Sequence, residues 1–187
     1  MSHMVLARTA AFAGISICAS AALSLALAAG EHSGGHGGHH NNAAGAPGEA
    51  AQASRTVDVE MYHTSSEPES ISVQAGETIR FVVRNDGELV HEFNIGTAAM
   101  HAAHQDEMMM MVDHGVLEPD RINLDAAKAM QASMGHGMHE EPNSVLLEPG
   151  DSAEIVWVFP DDGEIEFACN VPGHYDAGMQ GYFSIEK

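Results

Sequence analysis

The feature that most limits what this chain can fold into is its period-two patterning from residue 55 onward. Apolar and polar residues alternate at 56–62, and further strand-like stretches follow at 71–73, 78–84, 91–95, 144–147, 153–159, 164–168 and 180–185. Successive side chains of an extended chain point to opposite faces, so each stretch presents one apolar face, as a half-buried strand does. Turn-forming residues separate many of them: Gln74-Ala75-Gly76-Glu77, Asn85-Asp86-Gly87, Glu148-Pro149-Gly150-Asp151 and Asp161-Asp162-Gly163. The last is expected to be a hairpin turn. Short strands at this spacing predict an all-β fold, an antiparallel sandwich.

Residues 97–142 interrupt the pattern and are too long for a bare connection within a compact domain. They are rich in Ala, Met, His and Glu. A helix is expected over 97–112 and a second over 124–134, with Asn123 as its N-cap and Gly135 as its stop. On the first, His101, His104, Met108 and Met111 fall at offsets of three, seven and ten, which places them on one face. Met109, Met110, Met130 and His114 add further donors. Two readings compete. Met fills gaps against a core, or the stripe holds soft metal ions, above all copper. The interleaved His favours extra copper capacity, with Met100, His101, His104, Met108, Met111, Met134, His136, Met138 and His139 as candidates. Some of these Met are expected to serve in packing.

Residues 1–29 read as a secretory signal peptide: Arg8, an apolar run over 9–29, and the small-x-small motif Ala26-Leu27-Ala28. The alternative is an uncleaved anchor helix. Cleavage would leave a periplasmic protein with no membrane association. Residues 30–54 are Gly/Ala/His-rich, lack the apolar content for a core, and are expected to be disordered. His32, His36, His39 and His40 lie there, either as part of a plain spacer or as a tether for copper or zinc. The remaining residues, 55–187, have the size of one domain carrying the 97–142 insert.

The formal net charge of −20 argues against nucleic acid or an anionic membrane as a partner. It suits cations or a basic protein, such as a redox partner. Of two cysteines, Cys18 lies in the apolar leader, so Cys169 stands alone in the mature chain and no disulfide framework is expected. Counts of 13 His and 12 Met supply an excess of copper donors.

Cys169, His174 and Met179 fall in one short loop with the spacing Cys-x4-His-x4-Met. A thiolate, two imidazoles and a weak thioether form the donor set of an electron-transfer copper site. The second imidazole must come from elsewhere, and His91 at the start of a strand is the best-placed candidate. If the strand ends share one pole of the sandwich, His91, Cys169 and His174 can form a trigonal plane with Met179 as a long axial ligand.

These residues carry a resemblance. The stretches Phe81-Val82-Val83-Arg84-Asn85-Asp86-Gly87-Glu88-Leu89-Val90-His91-Glu92-Phe93 and Phe167-Ala168-Cys169-Asn170-Val171-Pro172-Gly173-His174-Tyr175-Asp176-Ala177-Gly178-Met179 resemble the cupredoxins, most closely the periplasmic copper-tolerance cupredoxins of the CopI type. The resemblance spans residues 55–187 and implies a Greek-key β-sandwich with one type 1 copper held by His91, Cys169, His174 and Met179. One position departs. Many cupredoxins place Asn or Ser directly after the first His ligand, to tether the two ligand loops, whereas Glu92 stands here.

Three functions compete. Copper handling and tolerance is favoured by the His-rich tail and the Met/His insert. A dedicated electron shuttle of the azurin or pseudoazurin kind needs only the core site. A multicopper enzyme needs further histidines beside the Cys, where Ala168 and Asn170 stand, so the chain reads as a binding protein and not an enzyme, with Cu(I) oxidation left open.

Overall fold

In the computed structural model, which describes residues 41–187 except 136, 137, 139 and 140, the alternating stretches become two packed sheets. The strands are β1 (Ala46–Pro47), β2 (Arg55–Met61), β3 (Ser66–Glu67), β4 (Ser70–Gln74), β5 (Thr78–Asn85), β6 (His91–Gly96), β7 (Ser144–Leu147), β8 (Ser152–Val158), β9 (Ile165–Ala168) and β10 (Gln180–Glu186). One sheet runs β1-β8-β5-β2-β3 and the other β4-β10-β9-β6-β7. This is a two-sheet β-sandwich with a helical insert, as the resemblance implies. The expected leader, Cys18, His32, His36, His39, His40, His136 and His139 lie outside the described residues.

Three expectations need correction. The sandwich is not wholly antiparallel: β2 pairs with β5, and β4 with β10, in parallel. Residues 161–163 do not close a hairpin, because β8 and β9 belong to different sheets and the chain crosses between them there. Residues 41–54 are structured, not disordered. They form α1 (Asn41–Ala44), β1 and a 3-10 turn (Ala50–Gln52). Their hold is mostly through backbone. β1 pairs with β8, and the indole of Trp157 donates to the Ala44 carbonyl at 2.8 Å. Gly45, at φ +113°, permits that approach, since a Cβ there would lie 2.7 Å from Trp157 Nε1.

The inner faces follow the period-two pattern. Ile79, Phe81 and Val83 of β5 and Ile155 and Trp157 of β8 meet Phe93 and Ile95 of β6, Ile165 and Phe167 of β9 and Phe183 of β10, all buried. The Phe rings interlock at tilted or edge-on angles, with Phe159 and Phe183 at 4.6 Å and Phe167 and Phe183 at 5.1 Å. Such pairs add about 0.5–1.5 kcal/mol each beyond the area they bury.

The insert forms α2 (Ala98–Asp113) and α3 (Leu124–Met134). Thr97 caps α2 by accepting from the Met100 N–H, and Asn123 caps α3 by accepting from the Ala126 N–H. Gly135 ends α3 in the left-handed conformation at φ +70°. Met108, Met111, Ala127 and Met130 of the helices join Val90, Val116 and Leu117 in a second buried apolar cluster. Because α2 packs against β6 and β9, their outward-facing residues are covered too. Glu92, Asn94 and Glu166 are buried, although alternation alone would put them in water.

That cover is tied down by an ion pair, His104 Nε2 to Glu92 Oε1 at 2.9 Å. Burial alone would lower the His104 imidazole, but Glu92 overrides it and holds it at about 9, above its ordinary 6.5. Burial would raise the Glu92 carboxyl, but His104, Ser144 and Asn170 hold it below its ordinary value. The Glu92 contribution is present above the ordinary carboxylate range and is lost as pH falls through the depressed value. The His104 contribution is complete below pH 6.5 and is lost as pH rises through about 9. The metal-free protein should therefore lose thermal stability between pH 6.5 and 9, and His104→Gln should flatten that slope. Melting curves across this range check it; an equal slope in both proteins would contradict the ion-pair account.

Candidate metal centre

Local hydrogen bonds bring the donors to one pole of the sandwich. Asn85, fully buried, donates through Nδ2 to the Leu89 and Leu147 carbonyls at 2.7 and 2.9 Å and accepts from the Gly87 N–H at 2.9 Å. This fixes the bend that delivers His91 to the start of β6. His91 shares the inward face of β6 with Phe93 and Ile95, by alternation. Cys169 follows the last residue of β9 and continues the inward face of Ile165 and Phe167. Its N–H donates to the Met179 carbonyl at 3.1 Å, and the Met179 N–H donates to the His174 carbonyl at 3.0 Å. The loop between them turns at Gly173 and Gly178, at φ +88° and +92°, a conformation suited to glycine.

The result is a convergence of lone-pair atoms. His91 Nδ1 lies 3.2 Å from His174 Nδ1. Cys169 Sγ lies 3.3 Å from His174 Nδ1 and 3.8 Å from His91 Nδ1. Met179 is fully buried in the adjoining core. Burial, followed by the neighbouring His174 and His63, pushes His91 down to about 4, and burial lowers His174 as well. Burial pushes the Cys169 thiol up to about 12. Near pH 7 both imidazoles are therefore neutral, and the thiol keeps its proton until a cation displaces it. Two neutral imidazoles and a displaceable thiol proton around one point fit a soft, thiolate-binding metal ion such as copper.

Glu92 departs from the expected tether residue and does a tether's work. Its N–H donates to Cys169 Sγ at 3.3 Å. Its Oε2 accepts from the Asn170 N–H at 3.2 Å and from Asn170 Nδ2 at 2.8 Å. The strand that bears His91 and the loop that bears Cys169 are thus held by one side chain.

Among the described residues, His91, Cys169 and His174 are the only group of three or more His, Cys, Asp or Glu whose ligand atoms converge. The insert candidates are placed otherwise. His101 is buried, with Nδ1 3.2 Å from Asn170 Nδ2 and its ring 5.9 Å from that of Tyr175. His104 pairs with Glu92. Met108 and Met111 lie in the second apolar cluster, Met100 packs half-buried on the main core, and Met134 and Met138 are exposed. Reading the sequence for metal donors missed Glu92, Asn170 and Ser144 as supporting residues. The clue was available in the two histidines one turn apart on α2, whose face needs polar partners if it is covered.

The chain has clear relatives. A cupredoxin-like domain model matches residues 19–100. The chain is 48% identical over 157 residues to the copper-resistant cuproprotein CopI of Pseudomonas aeruginosa, covering 79% of this chain and 84% of that protein. It is 41% identical over 156 residues to the copper-resistant cuproprotein CopI of Rubrivivax gelatinosus, covering 81% of each. Among solved structures, auracyanin B superposes with a TM-score of 0.55 at 20% identity over 76% of this chain and 96% of that one. Reduced auracyanin from Roseiflexus castenholzii gives 0.50 at 22% identity over 72% and 99%. The structural likenesses speak to the fold alone. The chain belongs to the CopI family of cupredoxins.

Proposed function

We propose that this protein binds copper at His91, Cys169, His174 and Met179 and acts in periplasmic copper handling, with extra copper held by its Met- and His-rich segments. The observation that carries the reading is the buried convergence of two imidazole nitrogens and one thiol sulfur within 4.8 Å of one another. Copper bound there would supply a one-electron couple between Cu(I) and Cu(II). The protein's own part is to hold the donors still. Asn85 fixes the His91 bend, Glu92 fixes Cys169, and the loop hydrogen bonds fix His174 and Met179. Export is supported by the leader-like residues 1–29, and no helix among the described residues is long and apolar enough to cross a membrane. The relatives are named copper-resistant cuproproteins, which supports a binding protein over a catalyst.

Extra capacity is supported by a cavity of about 780 Å³ beneath the insert. Met108, Met110, Met111, Met130 and Met138 line it, with Glu107 and Glu141 in its wall. Thioethers are soft donors suited to Cu(I), and the carboxylates draw cations toward them. A second reading, an electron shuttle, is favoured by His174, which is half-buried where His91 and Cys169 are buried.

The two readings separate in cells. A strain lacking the protein should be copper-sensitive with normal respiration, and Cys169→Ala should fail to restore tolerance. Purified Cys169→Ala should also lack the intense thiolate-to-copper absorption and bind one copper fewer. A respiratory defect with unchanged tolerance would favour the shuttle, and persistent colour would refute the ligand set. For the cavity, the triple change Met108→Leu, Met111→Leu and Met130→Leu conserves volume and removes thioethers. Bound Cu(I) should fall while the colour stays; unchanged Cu(I) would leave these residues a packing role alone.

A further inference from the structure

The inserted helix reaches the centre through a chain of buried polar contacts. Glu92 is only 2% exposed, so its carboxylate cannot rely on water. Oε2 is taken up by Asn170, the residue after the candidate sulfur ligand. Oε1 accepts from Ser144 Oγ at 2.5 Å and from Asn94 Nδ2 at 3.3 Å, and lies 2.9 Å from His104 Nε2. Three residues before His104 on the same helix, His101 Nδ1 accepts from Asn170 Nδ2 at 3.2 Å. Helix α2 thus grips both ends of the Glu92–Asn170 pair. That pair in turn grips Cys169, through the Glu92 N–H to Sγ and the Asn170 backbone.

We infer that the Glu92–His104 ion pair fixes where the Cys169 sulfur sits, so that the inserted helix is a positioning part of the copper centre; this rests on Cys169 being a copper ligand. A buried carboxylate holds its place only while its charge is balanced and its lone pairs are filled. Among the described residues, His104 is the one basic side chain bonded to Glu92. Without it, the carboxylate turns toward water or a new donor and releases Asn170. The Asn170 N–H then loses its acceptor, and the backbone directly after the sulfur ligand loses one of the bonds that hold it. Hydrogen bonding around the cysteine sulfur tunes the potential of such sites, and partners behind the ligands commonly govern metal affinity by 10–100-fold. The insert therefore holds the sulfur in place as well as covering the sheet.

The test uses the full-length, copper-loaded protein and four variants: His104→Ala, His104→Gln, Ser144→Ala and, as a reference, Cys169→Ala. Absorption and electron paramagnetic resonance of the Cu(II) form, the reduction potential and thermal melting are measured together. His104→Ala should move the thiolate-to-copper band and the potential and weaken Cu(II) binding about tenfold or more. His104→Gln keeps a donor toward Oε1 and should fall between it and the parent protein. Ser144→Ala keeps the ion pair and should move both readouts less. A parent-like band and potential in His104→Ala overturn the inference, even if melting falls, because the pair would then brace the insert alone. If His104→Ala does not fold, unmoved readouts in both His104→Gln and Ser144→Ala overturn it equally. Colour that survives Cys169→Ala is a different failure, that of the ligand set.

Discussion

A carboxylate buried between a sheet and a helix is the constraint on which the rest of this structure depends. Glu92 sits on the outer face of β6, where a strand of a sandwich would ordinarily meet water. Covering it with α2 removes that water, and an unpaired carboxylate there would be strongly destabilising. The fold meets this demand with His104, Ser144, Asn94 and Asn170, drawn from the insert, β7, β6 and the loop after β9. One residue thereby joins four parts of the chain. Its position directly after His91 and against Cys169 places that junction at the candidate metal centre.

The sandwich and the insert divide the work accordingly. The inner faces supply a close-packed floor of Phe81, Phe93, Phe167 and Phe183 below the pole. His91 and Cys169 extend that inner face and inherit its rigidity. Facing the other way, the same two strands carry Glu92, Asn94 and Glu166, all buried, and of these Glu92 is bonded by the insert through His104. Glu166 accepts from the Tyr175 hydroxyl at 2.7 Å, so the loop that carries His174 is drawn into the same buried polar layer. The centre is held from below by apolar packing and from the side by hydrogen bonds. The Met-lined cavity opens from that layer, with Glu92 and His104 in its wall.

Local signals carried most of the fold. Alternation located β5, β6, β8 and β10 to within a residue or so, because each turns one apolar face to the opposite sheet. Thr97, Asn123 and Gly135 set the helix ends through side-chain caps and a left-handed glycine, all readable from residue type. Long-range matters were not readable. Asp161-Asp162-Gly163 looks like a hairpin turn locally, and nothing nearby says that β9 leaves for the other sheet. Residues 41–54 attach chiefly by backbone pairing and by small residues against Trp157, which leaves no apolar trace. At the centre, loop spacing pointed to Cys169 and His174 and the start of a strand to His91, and the ligand atoms of these three lie together. Glu92 was visible only as a departure. Its role follows from the docking of a segment far along the chain, which residue type cannot convey.

The central claim is that His91, Cys169 and His174 hold copper together, with Met179 beside them. X-ray absorption at the copper edge of the protein loaded with one equivalent tests this most directly. The account predicts two imidazole nitrogens and one sulfur at short range around the copper, and no short-range sulfur in Cys169→Ala. A first shell of nitrogen and oxygen alone, or a short-range sulfur that persists in Cys169→Ala, would contradict it.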